Sequence, residues 1–483
     1  MDCADHTGSY YAATANEVSD FSPLHGERRA DVCVIGAGFT GISTALSLVE
    51  RGYKVRVVEA NKIGWGASGR NGGQIIGGIS GEKWIAKHHG KDVEDIFGEL
   101  RWAGHDIIRE RVSKYGIQCD LKWGYLDVAI KQRHLRDFQA DYERLQNAGF
   151  PHEIRMLSRE ETRETIGTDA YIGALLNMGN GHLHPLNLCI GEANAAVSLG
   201  VTIHEQSPVL DIAKGSKPKV ITRQGSVSAD AVVIAGNAYH ALAPELRGIM
   251  FPVKSFIIAT EPLSDDMVRT VNPRDLAVCD PNFVLKYYRL SADKRLLFGG
   301  RINYFGEEPQ IIKRALRRKM AKIYPMLADV DIDYAWGGTI GVPINRVPQI
   351  GRIAPNIYYC QGYSGHGVNV THIAGQVLAD AVAGVVERFD LFAKVKPIVV
   401  PGAHVLRKPM VALGILYYQI KDRLEKMGVR SVTAENQKQE HTGSYYAATV
   451  NEVTDYPILE GAKSADVCVV GAGFTGVATA LTL

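Results

Sequence analysis

The sequence predicts an α/β fold in which a Rossmann-like nucleotide-binding domain is interleaved with a second domain built on an antiparallel sheet. Two observations carry this prediction. A β-α-β unit opens at Ala30 and has a G-x-G-x-x-G turn between its first strand and its helix. Farther along, Lys254–Thr260, Phe283–Leu290 and Leu296–Gly300 follow one another as strand-like segments, a succession typical of a more antiparallel sheet.

The hydrophobic pattern defines each element of the first unit. Ala30–Ile35 is a short apolar run, as expected for a buried parallel strand. Thr40–Arg51 follows with apolar residues at helical spacing, and Gly52 ends that helix. Val55–Val58 is the second strand and leads into Glu59, whose carboxylate can accept hydrogen bonds from a ribose. An acidic residue here disfavours the 2′-phosphate of NADP, but the motif alone does not separate NAD from FAD.

Later elements alternate in the same way. Arg133–Ala148 and Glu308–Lys322 are predicted as charged amphipathic helices, and Ser158 with a glutamate three residues later predicts a capped helix start. Ala229–Ala235 and Ile357–Tyr359 are predicted as further buried strands, each followed by glycine within a few residues. The pattern predicts that helices and strands alternate through the middle of the chain.

Three glycines shape the first turn. Gly36 makes the turn, Gly38 lets the backbone approach a pyrophosphate, and Gly41 lets helix and strand pack closely. The free N–H groups and dipole of the helix then favour the negative charge of phosphates. We therefore predict a dinucleotide site here, with a glycine-rich turn that binds nothing as the alternative.

A second glycine-rich segment, Gly64–Gln74, follows the ribose-binding strand. Five of its eleven residues are glycine, which leaves the backbone N–H groups exposed because no side chains cover them. Such a loop can wrap a second stretch of cofactor, which a plain NAD-binding unit does not need. The alternative is a flexible surface loop, which would more often lack Trp65 and Arg70.

A third glycine-rich segment, Gly362–Val368, opens the apolar helix predicted at Val368–Val385. The dipole of that helix favours negative charge over the glycines, and reduced flavin carries its negative charge at N1 and O2. A loop caught between a strand and a helix is the alternative interpretation of this segment.

These three motifs, in this order, resemble the FAD-dependent D-amino-acid-oxidase superfamily, which also includes glycine and sarcosine oxidases. The likeness covers about residues 6–430 and agrees best with the members that oxidise gamma-glutamylputrescine. Further segments that carry it are His6–Ala13, Trp65–Gln74, Gly181–Leu188, Ala235–Tyr239, Tyr287–Leu290 and Gln361–Val368. The resemblance implies a flavoenzyme that acts on CH–NH2 donors.

The resemblance also implies a role for individual residues. The cofactor-binding residues it implies are Gly36, Gly38 and Gly41 at the pyrophosphate, Glu59 at the ribose, Ser68, Asn71, Gly72, Gly73 and Gln74 along the pyrophosphate and flavin, Val209 and Gly236 at the adenosine, and Gly365, His366, Gly367 and Val368 at the flavin pyrimidine. Relatives with covalent FAD use a cysteine shortly before the last strand. Asn345–Pro348 occupies that stretch here, so noncovalent FAD is expected.

The reaction this implies is hydride transfer from the carbon beside a neutral amine to the flavin. The imine then hydrolyses to an aldehyde and ammonia, and oxygen, the expected acceptor, is reduced to hydrogen peroxide. The catalytic candidates are His366, Tyr288 and Trp65, and the substrate-binding candidates are Tyr287, Arg289, Arg301, Trp336 and Arg346. A bidentate arginine suits a substrate carboxylate, although each of the three arginines has an ordinary ion pair as its alternative. No metal site is expected.

Two other functions stay open at this point. The first is oxidation of another amine or amino acid, such as sarcosine, glycine or a D-amino acid, with oxygen or an electron carrier as acceptor. The second is a flavin-binding scaffold without turnover, against which the aromatic and arginine residues argue. Peroxide production against dye reduction separates oxidase from dehydrogenase, and anaerobic bleaching by an amine separates enzyme from scaffold.

Composition excludes several other classes. The formal net charge is +2, which gives no reason to expect nucleic-acid binding. The seven cysteines are dispersed without zinc-ligand spacing, which favours a reducing compartment. Met1–Gly26 lacks the apolar core of a signal peptide, and Met410–Tyr418 is far short of the roughly 20 residues of a membrane helix. No transmembrane segment and a cytoplasmic location are therefore expected.

The predicted FAD-binding domain is discontinuous and comprises residues 30–85, 180–245 and 340–395. Residues 86–179 and 246–339 would form the substrate domain, with 1–29 as an N-terminal extension and 396–430 as a C-terminal segment. Within 431–483, residues 6–48 recur at 441–483, identical at 30 positions and different at 13.

The repeat carries its own three glycines, Gly471, Gly473 and Gly476, but no second strand and no counterpart of Glu59. A lone strand and helix cannot bury their apolar faces without a partner sheet. The tail is therefore expected to bind no second FAD and to be a truncated tandem copy, loose or packed opportunistically. Exchange into the sheet of a neighbouring molecule is the alternative.

Overall fold

The computed structural model describes residues 4–17, 20–239, 242–282, 285–303 and 308–399, together with residues 465, 467 and 468. The chain forms two compact units, Met1–Met427 and Gly428–Leu483. In the second unit the three described residues, Ala465, Val467 and Cys468, are exposed. The predicted repeat at 441–483, most of the predicted C-terminal segment at 396–430, and the expectation that the tail binds no second FAD lie outside the described residues.

The strands of the described chain are β1 (Gly26–Ile35), β2 (Val55–Val58), β3 (Gln74–Ile75), β4 (Lys122–Ala129), β5 (Ile154–Leu157), β6 (Gly173–His182), β7 (Thr202–His204), β8 (Val209–Ala213), β9 (Lys219–Thr222), β10 (Gly225–Ile234), β11 (Phe251–Thr260), β12 (Ala277–Cys279), β13 (Tyr287–Leu290), β14 (Leu296–Asn303), β15 (Ile332–Val342), β16 (Gln349–Ala354) and β17 (Ile357–Gln361).

The helices are α1 (Tyr10–Ala13), α2 (Phe39–Val49), α3 (Glu82–His89), α4 (Lys91–Leu100), α5 (Ala103–Tyr115), α6 (Gln132–Asn147), α7 (Arg159–Ile166), α8 (Pro185–Ser198), α9 (Asp265–Val271), α10 (Pro309–Ala321), α11 (Gly367–Val382) and α12 (Glu387–Lys394). Short 3-10 turns lie at Ala67–Gly69, Pro244–Leu246 and Pro325–Leu327. Among the described residues, no helix has both the length and the apolar character needed to cross a membrane.

The first sheet has the strand order β16-β17-β10-β1-β2-β7, and from β17 to β7 its strands run parallel. Strand β16 pairs antiparallel with β17, and β9 joins β10 and β8 at the side of the sheet. The carboxyl ends of β1, β10 and β17 therefore meet at one edge. Ligands of open α/β sheets bind at this edge, where the chain leaves the strands through Gly36, Ala235 and Gly362.

The central strand β1 is buried on both faces, as its continuous apolar run predicts. Val32 and Val34 pack into the larger core, which also contains buried residues of α2, α8 and α11. Cys33 and Ile35 point the other way, into a second core formed with β8, β9 and β10. Burying alternate side chains on opposite faces holds the strand, and hence the turn that follows it, in a fixed position.

The second sheet has the order β15-β11-β14-β13-β12-β4-β6-β3, with β5 paired to β6. Its pairings are antiparallel except that of β4 with β12. One face packs on a core that includes Tyr288, Phe298 and Leu316 of α10. The predicted fold class, a Rossmann-like domain with an antiparallel second sheet, is confirmed.

Elements predicted from local sequence patterns agree closely with the predictions. The helices predicted at Arg133–Ala148 and Glu308–Lys322 are α6 and α10, each shifted by one residue at most at either end. Ser158 and Glu161 form both hydrogen bonds of the predicted capping box. The strand predicted at Phe283–Leu290 is shorter than expected: β13 begins at Tyr287, and Phe283 lies outside the described residues.

Candidate active site

A cavity of about 1120 Å³ runs from the carboxyl edge of the parallel sheet to the face of the antiparallel sheet. Single small-molecule pockets usually measure about 300–1,000 Å³, so this volume suits a cofactor and a substrate together. All three glycine-rich segments contribute to its wall. The cavity is therefore the candidate active site.

The G-x-G-x-x-G turn shapes one end of the cavity. Gly36 has φ of +106°, and a Cβ there would lie 2.9 Å from the carbonyl oxygen of Ala235. A Cβ on Gly41 would lie 1.9 Å from the carbonyl oxygen of Gly36, so only glycine lets α2 pack this close to β1. Gly38 and Thr40 at the start of α2 line the cavity, where the helix dipole favours an anion.

The carboxylate of Glu59 lies beside this turn. Its Oε2 accepts a hydrogen bond from the Ala37 N–H at 2.7 Å, and its Oε1 accepts one from the Asn61 N–H at 2.9 Å. Burial raises the pKa of Glu59, and the two backbone donors act in the opposite direction. Val209 and Gly236 line the same part of the cavity, so Glu59 is placed to accept a hydrogen bond from a ribose hydroxyl there.

The loop Gly64–Gln74 is held by its own polar side chains. The Asn71 amide nitrogen donates to the Ser68 carbonyl at 2.8 Å, and the Asn71 amide oxygen accepts from the Gly73 N–H at 2.7 Å. The Ser68 hydroxyl oxygen accepts from the Phe39 N–H at 2.9 Å, which joins the loop to the first turn of α2. The second motif is therefore an ordered wall of the cavity, in contact with the first.

Arg289 supports this loop from beneath. The side chain is 1% exposed, and its guanidinium donates to the carbonyls of Gly72 at 2.9 Å and Leu183 at 2.7 Å. It also donates to the carbonyl of Leu290 at 2.9 Å and to the hydroxyl of Tyr11 at 3.2 Å. Four oxygen acceptors satisfy a buried cation that has no carboxylate partner among the described residues.

The third motif brings His366 to the cavity. Its Nδ1 is buried and has no hydrogen-bond partner among the described residues. Burial lowers the pKa of His366, and the nearby charge of Arg346 acts in the same direction. A neutral imidazole with an unpartnered nitrogen offers a hydrogen-bonding position to a ligand. Gly367 and Val368, the first residues of α11, lie next to it on the cavity wall.

Behind the start of α11, the buried side chains of Glu192, Arg111 and His372 join three helices, α8, α5 and α11. Oε1 of Glu192 lies 2.9 Å from Nη1 of Arg111 and 3.1 Å from Nε2 of His372. Nδ1 of His372 lies 2.6 Å from the Val368 carbonyl oxygen, so both ring nitrogens face oxygen acceptors. Burial raises the pKa of Glu192, but His372 and Arg111 outweigh burial and hold that pKa at about 2.

The opposite end of the cavity lies on the antiparallel sheet, along one row of neighbouring strands. Asp127 of β4 pairs with Cys279 of β12, which pairs in turn with Tyr287 of β13. A Cβ on Gly299 would lie 2.1 Å from the Tyr287 ring, and one on Gly72 would lie 2.7 Å from it. The ring therefore lies between two glycines. The apolar side chains that complete this end are Phe251, Val253, Ile257, Leu285 and Ile340.

The structure brings most of the residues predicted for the site to this one cavity. The predicted residues that line it are Gly36, Gly38, Glu59, Trp65, Ser68, Asn71, Gly72, Gln74, Val209, Gly236, Tyr287, Arg346, Gly365, His366, Gly367 and Val368. Their roles toward FAD and substrate stay predictions. Gly41 and Gly73 lie behind the wall and shape its backbone. Arg301 lies on β14, and its side chain lies outside the described residues.

Tyr288, Trp336 and Arg289 do not reach the cavity, which corrects their prediction as catalytic or substrate-contacting residues. Tyr288 is 1% exposed and contacts Tyr171 and Tyr324, because neighbouring residues of a strand face opposite sides. Trp336 is 2% exposed, and its indole N–H donates to the carbonyl of Arg70 at 3.1 Å. The Arg289 guanidinium is already satisfied by the carbonyls described above.

Sequence reasoning missed several residues of the cavity and its support. Asp127 is the one charged side chain of the central run Gly124–Ala129 of β4, and this isolation was an available signal. Glu192 likewise stands alone in the apolar helix α8. Asp280 is fully buried at the cavity wall and accepts hydrogen bonds from the backbone of Asn282 and Lys286. An isolated acidic residue in an apolar element indicates a buried charge, which needs a partner.

The residues present fit FAD. The first glycine-rich turn leaves a space that a Cβ would fill, Glu59 can accept from a ribose, and two helices begin at the cavity wall. The unpartnered Nδ1 of His366 supplies a further hydrogen-bonding position at the cavity wall.

Comparison with known proteins identifies the family. The model of the FAD-dependent oxidoreductase family (DAO) matches residues 31–381. The chain belongs to this family. The resemblance found in the sequence is thereby confirmed, and the protein is an FAD-dependent oxidoreductase that binds its cofactor noncovalently. Cys279 lines the cavity, but burial raises the pKa of its thiol well above the usual range, which leaves a neutral thiol that is a poor nucleophile.

Several relatives of this FAD-dependent oxidoreductase match over most of their own length. The chain is 43% identical to gamma-glutamylputrescine oxidoreductase of Escherichia coli (strain K12), over 87% of this chain and 99% of the relative. It is 41% identical to a probable oxidoreductase, OrdL, of Haemophilus influenzae, over 87% of this chain and 98% of that relative. Among solved structures, glycine oxidase of Geobacillus kaustophilus shares the fold. It superposes with a TM-score of 0.65 at 22% sequence identity, and the match covers 77% of this chain and 100% of that structure.

Proposed function

We propose that this protein is an FAD-dependent oxidase of a primary amine. Its substrate is gamma-glutamylputrescine, and its products are the aldehyde, ammonia and hydrogen peroxide, with oxygen as the electron acceptor. The observation that carries the proposal is the 43% identity to the Escherichia coli gamma-glutamylputrescine oxidoreductase, which extends over 99% of that relative. The cavity supports it, because the space continues past the nucleotide end into an apolar chamber.

The chamber selects the reactive form of the amine. An ammonium has no lone pair with which to expel a hydride, so the neutral amine must be bound. An apolar wall favours that form because burial disfavours the charged one. The apolar part of the wall consists of the Tyr287 ring, held between Gly72 and Gly299, together with apolar side chains of β11 and β15. FAD, when bound, supplies the hydride acceptor.

Other lining residues recognise the polar parts of the substrate. Arg346, one of the three arginines considered for the substrate carboxylate, is among the residues that line the cavity. A guanidinium suits a carboxylate because it can donate two parallel hydrogen bonds. Trp65 forms part of the wall, with the guanidinium of Arg70 4.3 Å above its ring.

An anaerobic absorbance titration tests the proposal. Purified protein is titrated with gamma-glutamylputrescine, putrescine and sarcosine, after which air is admitted and peroxide is measured. We expect the gamma-glutamyl amine alone to bleach the flavin, and air to restore the colour with formation of peroxide. Bleaching by another amine would overturn the substrate. Bleaching that only an artificial dye can reverse would overturn oxygen as acceptor and leave a dehydrogenase.

A further inference from the structure

Asp127 differs from the other carboxylates at the cavity wall. Glu59 accepts two backbone hydrogen bonds, and Asp280 accepts two others and lies 3.4 Å from the ammonium of Lys286. Asp127 lines the cavity without a hydrogen bond or an ion pair to any described residue. A carboxylate in this state leaves its charge to be compensated by whatever enters the cavity.

The neighbours of Asp127 make an entering cation the favourable partner. Cys279 and Tyr287 follow it along the sheet, and neither carries positive charge. The charged neighbour that acts on Asp127 is Asp141, a second carboxylate, on α6. Burial raises the pKa of Asp127 to about 7, and Asp141 acts in the same direction. An ammonium beside the carboxylate would reverse both effects by stabilising its charged form.

We propose that Asp127 binds the ammonium of the substrate that does not react, which is the α-ammonium of the gamma-glutamyl head. This inference rests on the proposed function and adds the residue that selects for an amino-acid head. The other nitrogen of the substrate is unsuited to this position. A carboxylate beside the reacting amine would stabilise its protonated form, which cannot release a hydride. Asp127 is thus a specificity residue at the end of the cavity remote from the nucleotide.

Two ligands without an oxidisable amine isolate this interaction. Gamma-glutamylbutylamide keeps the amino-acid head, and N-butylglutaramate is the same molecule without the α-amino group. Calorimetric titration of the FAD-loaded wild type should show a preference for the first of roughly 10- to 100-fold, the range of a charge-assisted hydrogen bond. In Asp127→Asn the preference should fall to about 3-fold or less, because a neutral amide leaves no ion pair.

The ratio of the two affinities protects the test against indirect effects, since a general disturbance of the cavity weakens both ligands together. Asp127→Ser provides a second variant of different shape and should lose the preference equally. Asp141→Asn is the matched control, because it removes a half-exposed charge that acts on Asp127 from outside the cavity wall, and it should keep the preference.

Each remaining outcome has a distinct meaning. If the wild type prefers gamma-glutamylbutylamide and Asp127→Asn keeps that preference, the inference is overturned and the proposed function stands. If the variant weakens both ligands by the same factor, Asp127 acts through the shape of the cavity, and the inference is again overturned. If the wild type binds neither ligand, the proposed substrate is overturned and the inference falls with it.

Discussion

Replacing Glu192 with glutamine should destabilise the protein by about 3 kcal/mol, because it leaves the buried guanidinium of Arg111 without its anion and His372 without the carboxylate it contacts. The carboxylate lies 2.9 Å from Arg111 and 3.1 Å from His372. Together these two side chains lower the pKa of Glu192 from 4.5 to about 2 despite its burial. At about 1.4 kcal/mol per pKa unit, the shift corresponds to about 3 kcal/mol. Removal of one partner from a buried ion pair costs about 3–5 kcal/mol, which agrees.

Thermal unfolding of the FAD-loaded protein measures this effect. For a unit of about 400 residues, a loss of about 3 kcal/mol lowers the midpoint by on the order of 4 °C. The matched control is Glu50→Gln, which removes a partly exposed carboxylate 2.6 Å from Lys114 and should cost under about 1 kcal/mol. Equal midpoints for the two variants would refute the reasoning, because they would show that burial adds nothing to the ion pair.

The pH dependence of the same comparison has a definite sign. The folded-state pKa of Glu192 lies below its unfolded value, so its stabilisation is complete above about pH 4.5 and is lost as the pH falls toward about 2. The difference in free energy of unfolding between wild type and Glu192→Gln should therefore be constant near neutrality and shrink in acid. A difference that grew in acid would contradict the assignment of Glu192 as the buried anion.

Three further predictions concern the cavity. Gly41→Ala should abolish FAD retention, since its Cβ would lie 1.9 Å from a backbone oxygen, whereas Gly98→Ala, whose Cβ meets nothing within 4 Å, should purify yellow. Arg289→Met should weaken FAD binding about 10-fold by leaving the carbonyls of Gly72 and Leu183 without this donor, and fluorescence titration of FAD measures this; equal affinity would show that the loop Gly64–Gln74 holds its position unaided. The affinity for gamma-glutamylbutylamide should rise with pH through about 7, because Asp127 is neutral below its raised pKa and charged above it. The charge of Asp141 contributes to the raised pKa of Asp127, so Asp141→Asn should move that profile to lower pH, and a flat profile would contradict the assignment.

The dinucleotide end of the site could be predicted from the sequence because its determinants are local. A buried strand, three glycines at fixed spacing, a helix and an acidic strand end lie within about thirty residues, and each has its own physical signature. The substrate end has no such motif. Strand alternation places Tyr287 and Tyr288 on opposite faces, but which face looks into the cavity depends on how the whole sheet packs.

Contacts between distant parts of the chain limited the prediction of individual residues. Arg289 lies on the same side of its strand as Tyr287, yet its guanidinium does not reach the cavity. It donates instead to the hydroxyl of Tyr11, which lies 278 positions away in the sequence. Glu192 finds its partners 81 and 180 positions away, in Arg111 and His372. A lone acidic residue in an apolar helix indicates a buried charge, but the sequence alone does not identify the side chains that contact it.

The Tyr287 ring between Gly72 and Gly299 has a consequence for how this site is inherited. A methyl group at either glycine would enter the volume of the ring, so the three positions can change only in a fixed order. The aromatic residue has to become smaller before either glycine can become alanine. Residue size at these positions should therefore covary among homologues, with tyrosine or phenylalanine accompanied by two glycines. A library designed to widen the chamber should accordingly begin at Tyr287 and vary the glycines only in a second round.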